Sequence, residues 1–175
     1  MPADHNIEDI PAFQNALQLA ECLASNGCIV TFGISPTTPK TAYGYLEKGQ
    51  TYNSMLVCRK NDRDDALRGI NAFQLTSFIE KPEEKLAKEM IKTGRYLWNS
   101  GIFVMKASIW LRELAENRPE ISEICRAAYS NGSNDGDFFR PNRQIFDDCP
   151  SDSIDYAVME NTPLDSFNQD KMKNV

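Results

Sequence analysis

Apolar residues near the start of the chain recur at helical spacing, and a compact apolar run follows them. The residues that share this spacing are Phe13, Leu17, Ala20 and Ala24. They predict a helix over 11–25, with Asp9 as its N-cap and Gly27 as its stop. Residues 28–34, CIVTFGI, are apolar and partly β-branched, which favours a buried and parallel strand. A helix, a short turn and a buried strand in this order are one half of a βαβ unit.

Further strands and helices alternate along the rest of the chain. Strands are predicted around Gly44 and over 54–60, 70–82 and 96–107. Helices are predicted over 83–93, 109–118, 120–132 and 153–161. Gly94 is the expected stop of the second helix, and Ser108 and Ser153 are candidate caps. Residues 131–145 are rich in Asn, Gly, Asp and Pro, which predicts a mobile loop.

This order of elements predicts one α/β domain over 1–162, with a mixed, mainly parallel sheet and flanking helices. Residues 163–175 are polar and unpatterned, so we expect a divergent, frayed tail. An α/β sheet normally begins with a strand, whereas this chain begins with a loop and a helix. We therefore expect either that strand 28–34 begins the sheet or that the front of a larger domain is missing.

The composition of the chain disfavours several classes of protein. The chain has 175 residues, 41% of them hydrophobic and 25% charged, which favours a folded domain over disorder. A net charge of −6 without a basic stripe disfavours nucleic acid as a partner. No apolar run has the length of a membrane span, and the N-terminus lacks the layout of a signal peptide.

The cysteine and histidine content excludes further classes. The five cysteines are scattered and never form a C-x-x-C pair, which is typical of reduced thiols in a cytoplasmic protein. His5 is the only histidine, so a His-based metal centre and a Ser-His-Asp triad are both disfavoured.

Polar residues at strand ends are candidate ligand contacts, because ligands of α/β sheets collect beyond the carboxyl ends of strands. Glu80 could accept hydrogen bonds from two sugar hydroxyls, and Lys81 could supply a charge for phosphate. A solvated ion pair beside a turn proline explains the same two residues. Asn99 offers a donor and an acceptor, although an Asx turn before Ser-Gly is an equally simple explanation.

Each of three further positions allows a functional and a structural interpretation. Asp4 could hold Mg²⁺ together with substrate phosphate oxygens, while spacing alone favours a turn or cap. Gly44, within a strand pattern, could admit a ligand close to the backbone or mark a bulge. Asp152 and Asp155 could contact substrate or metal, and helix capping explains them at least as well.

Five ordered motifs together resemble one protein family. They are PADH, TFGISPTTPKTAYGY, FIEKP, G-x-Y-x-WNSGIF and CPSDSIDYAVME. This set resembles the mannose-1-phosphate guanylyltransferases of the bacterial type often fused to a phosphomannose isomerase domain. The resemblance runs from about Pro2 to about Thr162 and implies a Rossmann-like nucleoside-diphospho-sugar transferase fold. It also implies the reaction of GTP with mannose 1-phosphate to give GDP-mannose and pyrophosphate, with Mg²⁺ as cofactor.

The resemblance also implies roles for single residues. Asp4 matches the Mg²⁺ ligand, and with Lys81, which matches the base facing phosphate, it would carry the catalysis. Gly44 matches the backbone that approaches the sugar. Glu80 matches the acid that binds mannose hydroxyls, and Asn99 matches a sugar-contacting amide.

Two departures from the family pattern lead to further expectations. Lys40 and Ala42 replace residues expected in the loop, and the family's glycine-rich nucleotide loop and second metal-binding aspartate have no counterpart here. We therefore expect little guanylyltransferase activity from this chain alone. The alternative function is a truncated, non-catalytic module that binds sugar phosphate or a partner. A missing first strand would expose a sheet edge and favour a homodimer.

Overall fold

The computed structural model describes residues 2, 5–52 and 70–160. These residues form two compact units, one ending at Lys106 and the other beginning at Ala107. The predicted strand 54–60, the tail 163–175 and Asp4 lie outside the described residues. Within them, no helix is both long and apolar enough to cross a membrane.

The first unit combines two helices with four strands. The helices are α1 (Ile10–Ser25) and α2 (Glu84–Thr93), and the strands are β1 (Val30–Ile34), β2 (Tyr45–Tyr52), β3 (Ala72–Ile79) and β4 (Tyr96–Val104). The four strands form one sheet in the order β1-β4-β2-β3. The sheet positions the strand ends that carry the candidate site.

The pairings within this sheet correct the prediction of a mainly parallel sheet. All three described pairings, β1 with β4, β4 with β2 and β2 with β3, are antiparallel. The parallel assignment of β1 came from its apolar composition, which reports burial and not strand direction. Even that burial is partial, since β1 is half-buried and Ile34 at its end is 50% exposed.

The predicted N-cap of α1 and the predicted stop of α2 are confirmed. The Asp9 carboxylate accepts a hydrogen bond from the Ala12 N–H at 2.9 Å and so caps α1. Gly94 ends α2 with a φ of 68°, and its N–H donates to the Ile91 carbonyl at 3.1 Å. Such caps depend on residues a few positions apart, so the sequence can reveal them.

One buried cluster of the first unit lies between α2 and the sheet. Tyr45, Ala87 and Met90 are buried together. The partly buried residues packed against them are Ile79, Ile91, Tyr96 and Trp98. The Tyr45 hydroxyl donates to the Lys40 carbonyl at 3.0 Å, which satisfies the one polar atom of that ring. The opposite side of the strand end, beside Gly44, carries the candidate site.

The second unit is mostly helical. It contains α3 (Ala107–Asn117), α4 (Pro119–Ser130), β5 (Ser133–Asp135), β6 (Phe138–Arg140), α5 (Arg143–Asp147) and a π-helical turn (Asp155–Met159). Because α3 already begins at Ala107, the prediction that Ser108 caps it is wrong. The Ser153 hydroxyl accepts a long hydrogen bond of 3.4 Å from the Tyr156 N–H, consistent with a cap at the start of the π-helical turn.

The predicted loop over 131–145 is also wrong. β5 and β6 form an antiparallel hairpin there, with Gly136 in the turn at a φ of 58°. The Asn142 side chain then caps α5 by accepting from the Ile145 N–H at 3.1 Å. The Asp-Gly and Asn residues that suggested a loop are therefore a hairpin turn and a helix cap.

The cysteines differ from the expectation of reduced thiols throughout. Cys22 is disulfide-bonded. Cys28, Cys125 and Cys149 are free and half-buried. The expectation therefore holds for these three thiols and fails at Cys22.

Candidate functional site

The candidate site begins where β3 ends, at Glu80 and Lys81. The Lys81 Nζ lies 3.0 Å from the Glu80 Oε1. The Glu80 side chain is only 9% exposed, whereas that of Lys81 is 53% exposed. The pair therefore combines a nearly buried carboxylate with a half-exposed ammonium group at the end of β3.

Gly44 leaves room for this carboxylate. A Cβ atom added to Gly44 would lie 2.5 Å from the Glu80 Oε2 and 3.3 Å from the Asn99 Cβ. Real Cβ contacts are not this short, so any larger residue would displace the carboxylate. The register irregularities of β2 lie farther on, between Glu47 and Thr51. The Glu80 carboxylate ends a flexible side chain that can shift, so its close approach favours glycine at position 44 without strictly requiring it.

Asn99 is fixed on β4 beside Gly44. Its main-chain N–H donates to the Gly44 carbonyl at 2.7 Å. Its Oδ1 accepts from the Gly101 N–H and from the Thr31 hydroxyl, each at 3.1 Å. The bond to Gly101 is the Asx-type turn considered above, and it coexists with a position next to Gly44. Both bonds fix the plane of the amide, so the donor Nδ2 has one direction.

Thr31 is a site residue that the sequence interpretation missed. It lies on β1, and its hydroxyl reaches both the Asn99 Oδ1 and, at 3.2 Å, the Ile102 carbonyl. The contact spans 68 positions of sequence, so no local pattern reports it. The one available signal is a hydroxyl residue within the otherwise apolar run 28–34.

The backbone at Lys81 is unusual. Its φ of 48° is the only positive φ of a residue other than glycine among those that the structure describes. A left-handed conformation costs an ordinary L-residue about 1–2 kcal/mol, and the following Pro82 restricts this position further. Strain of this kind concentrates at ligand sites, where a particular side-chain direction is worth its cost.

The other candidate residues do not join this cluster. Asp4 lies outside the described residues. In the second unit, Asp152 accepts from the Arg118 Nε at 2.8 Å and from the Ser153 N–H at 2.9 Å, which supports the structural interpretation of this residue. Asp155 begins the π-helical turn. Among the described residues, no group of three or more His, Cys, Asp or Glu side chains is placed to hold a metal.

Comparison with known families identifies the class of protein. The chain belongs to the nucleotidyl transferase family, whose model matches residues 1–146. The nucleotidyl transferase family implied by the sequence motifs is thereby confirmed.

The names of individual relatives describe a narrower class of protein than the family name does. The chain is 43% identical over 162 residues to the mannose-1-phosphate guanylyltransferase RfbM of Salmonella typhimurium, covering 93% of this chain and 30% of that protein. It is 40% identical over 172 residues to the xanthan biosynthesis protein XanB of Xanthomonas campestris, covering 95% and 33%. The chain thus spans roughly a third of the length of these curated relatives.

A solved structure supports the fold. The crystal structure of a mannose-6-phosphate isomerase from Helicobacter pylori matches with a TM-score of 0.74 and 32% sequence identity. The match covers 93% of this chain and 57% of that one. The similarity of fold therefore extends over nearly the whole chain.

Proposed function

We propose that this chain forms the sugar-phosphate side of a mannose-1-phosphate guanylyltransferase. The reaction would join GTP and mannose 1-phosphate to give GDP-mannose and pyrophosphate. The observation that carries the proposal is the convergence of Glu80 and Asn99 on the bare backbone of Gly44. The names of relatives at about 40% identity, such as RfbM, supply the sugar and the base.

The proposed roles follow from the donor and acceptor properties of each group. The Glu80 carboxylate would accept hydrogen bonds from mannose hydroxyls, and the Asn99 Nδ2 would donate one. The Lys81 ammonium would neutralise the sugar phosphate. An oxygen of that phosphate would then attack the α-phosphorus of GTP in line and expel pyrophosphate, so no protein nucleophile is needed.

Mg²⁺ is the proposed cofactor, with Asp4 as its protein ligand. Mg²⁺ commonly takes one or two carboxylates and fills its remaining positions with water and substrate phosphates. When bound, the ion would neutralise charge on the nucleotide phosphates. A cytoplasmic location, where GTP is available, and a homodimer through β1 complete the proposal.

Calorimetric titration of the chain with mannose 1-phosphate tests the sugar site. We expect binding by the wild-type chain and at least about tenfold weaker binding by Glu80→Ala, since charged hydrogen bonds contribute roughly 1.5–3 kcal/mol. Lys81→Ala should weaken mannose 1-phosphate binding and leave binding of unphosphorylated mannose unchanged. The wild-type chain should bind inorganic phosphate more weakly than mannose 1-phosphate.

Glu47 provides a matched control for Glu80. It is another half-buried, ion-paired glutamate of the same sheet, with its carboxylate 3.2 Å from the Arg95 guanidinium. Burial and this carboxylate together raise the pKa of Tyr96, so Glu47 has a local electrostatic role. Glu47→Ala should leave mannose 1-phosphate affinity unchanged. No binding by the wild-type chain, or equal losses in both variants, would refute the sugar site.

The transfer reaction requires its own assay. Pyrophosphate release from GTP and mannose 1-phosphate, with and without Mg²⁺, reports whether the chain catalyses the reaction by itself. Binding without release would restrict the role of this chain to the sugar-phosphate side. Release that Glu80→Ala does not reduce would contradict the proposed site.

A further inference from the structure

Two free thiols of the second unit face each other. Cys125 lies on α4, and Cys149 follows the end of α5. Their Sγ atoms are 3.9 Å apart, which is within hydrogen-bonding range for sulfur, and both residues are half-buried. Neither belongs to the sugar site, which is built from residues of the first unit. The pair therefore has no role in the function proposed above.

We infer that Cys125 and Cys149 are a reactive pair, which small disulfides such as oxidised glutathione convert to an intramolecular disulfide. The sulfur atoms of a disulfide are about 2.05 Å apart, so the two Sγ atoms must approach from their present contact distance. Cys149 follows the last residue of α5, in a turn where its N–H donates to the Phe146 carbonyl at 3.0 Å, so we expect rotation of the two side chains to supply this movement.

The segment that carries Cys149 is already held near α4. Arg118, immediately before α4, donates through its Nε to the Asp152 carboxylate at 2.8 Å. Cys125 is two helical turns farther along the same helix, about 10 Å at 1.5 Å per residue. Residues 149–152 are therefore held at two separate points, by Cys125 within α4 and by Arg118 just before it. Because this segment is already in contact with α4 in the reduced chain, forming the disulfide loses little additional conformational entropy.

The reduced pair is stable until an oxidant reacts with it. Burial, the neighbouring Cys125 and the more distant Glu120 raise the pKa of the Cys149 thiol. A raised pKa keeps the sulfur protonated, and the thiolate is the species that attacks a disulfide. The site therefore needs a disulfide reagent at sufficient concentration and is not expected to close spontaneously.

The exchange balances as two successive displacements. One protein thiolate attacks oxidised glutathione, forms a mixed disulfide and releases the first glutathione thiolate. The second protein thiolate then attacks the protein sulfur of that mixed disulfide and releases the second glutathione. Two protein thiols lose two hydrogen atoms in total, and one oxidised glutathione is reduced to two glutathione molecules.

Peptide mapping after equilibration in glutathione buffers tests this site. The full chain is incubated over a series of oxidised-to-reduced glutathione ratios, free thiols are blocked with iodoacetamide, and the chain is digested without reduction. Trypsin separates the two cysteines, because it cleaves after Arg126 and Arg143. We expect a linked pair of peptides containing Cys125 and Cys149, smaller by two hydrogen atoms than their summed masses, to accumulate as the ratio rises.

Cys28 is the internal control. It is free and half-buried, and burial raises the pKa of its thiol as well. In Cys125→Ser the remaining Cys149 should carry glutathione, as Cys125 should in Cys149→Ser. Oxidation should raise the melting temperature of the wild-type chain and leave that of Cys149→Ser unchanged. The inference is overturned if no linked peptide forms, or if Cys125 and Cys149 gain only glutathione to the extent of Cys28.

Discussion

The amide of Asn99 is useful to a ligand only if its donor and acceptor atoms keep fixed positions. Two bonds to its Oδ1 provide this, and the one from Gly101 belongs to the same turn. The other comes from Thr31, across the β1–β4 pairing. Thr31 is therefore a positioning residue that acts through Asn99.

Replacement of Thr31 tests this positioning role. Thr31→Val removes the hydroxyl with little change in shape, and we expect mannose 1-phosphate to bind roughly three- to tenfold more weakly, the worth of one neutral hydrogen bond. Thr31→Ser keeps the hydroxyl and should restore most of the affinity. The measurement is calorimetric titration, accompanied by urea unfolding of each variant.

A double-variant comparison separates positioning from stability. The single Thr31 hydroxyl proton is shared between the Asn99 Oδ1 and the Ile102 carbonyl, so Thr31→Val should lower the free energy of unfolding in any background. In an Asn99→Ala chain it should have no further effect on affinity. Equal affinity losses with and without Asn99 would show that Thr31 acts only through the fold.

At Lys81 the left-handed backbone lowers the stability of the fold, whereas the side chain is proposed to strengthen ligand binding. Glycine adopts a φ of 48° without steric cost, so Lys81→Gly should raise the free energy of unfolding by about 0–1 kcal/mol once unfolded-state entropy is included. The same change removes the ammonium group and should weaken mannose 1-phosphate binding. Lys81→Ala is the matched variant, because it loses the charge without relieving the backbone. Both variants lose the ion pair with Glu80, so a stability of Lys81→Gly no higher than that of Lys81→Ala would contradict the strain.

At the scale of elements, local chemistry determined the helices. Asp9 at the start of α1 and Gly94 at the end of α2 act on groups three or four residues away, so both ends were predicted within about a residue. The prediction of a loop over 131–145 was wrong because it also depended on local signals. Asp-Gly and Asn serve loops, hairpin turns and caps alike, and only the pairing of β5 with β6 distinguishes them.

Gly94 provides the element-scale test. A Cβ atom added there would meet nothing within 4 Å, so the cost of Gly94→Ala is purely that of a left-handed alanine, about 1 kcal/mol. We expect this loss in the free energy of unfolding, measured by urea denaturation. Gly94→Asn should lose less, because asparagine tolerates this conformation, and Glu89→Ala on the exposed side of α2 should be within about 0.5 kcal/mol of wild type. An unchanged stability in Gly94→Ala would exclude a left-handed stop.

At the scale of the whole molecule, the sheet edges govern association. Among the described strands, β1 pairs only with β4 and so lies at one edge, and β3 lies at the other. Unprotected edges favour pairing with a second chain. The homodimer proposed above would use β1, where Ile34 presents an apolar side chain that is 50% exposed.

Sedimentation at increasing concentration tests this dimer. The wild-type chain should shift from monomer to dimer, and Ile34→Lys should remain monomeric because it places a charge on the edge strand. Gln74→Lys adds the same charge to exposed β3 at the opposite edge and should leave the dimer intact. A wild-type chain that is monomeric throughout would exclude association through β1.

The sequence by itself determined the helix ends and the ordered motifs that mark the nucleotidyl transferase family. It also determined which polar residues end the strands, because these features depend on near neighbours in the chain. Tertiary structure alone decided that the described strands run antiparallel, that the Glu80 carboxylate rests on Gly44, and that Thr31 orients Asn99. These contacts join residues 36 or more positions apart, between Gly44 and Glu80 and between Thr31 and Asn99. An apolar run or a polar strand end carries no record of which distant strand will lie beside it.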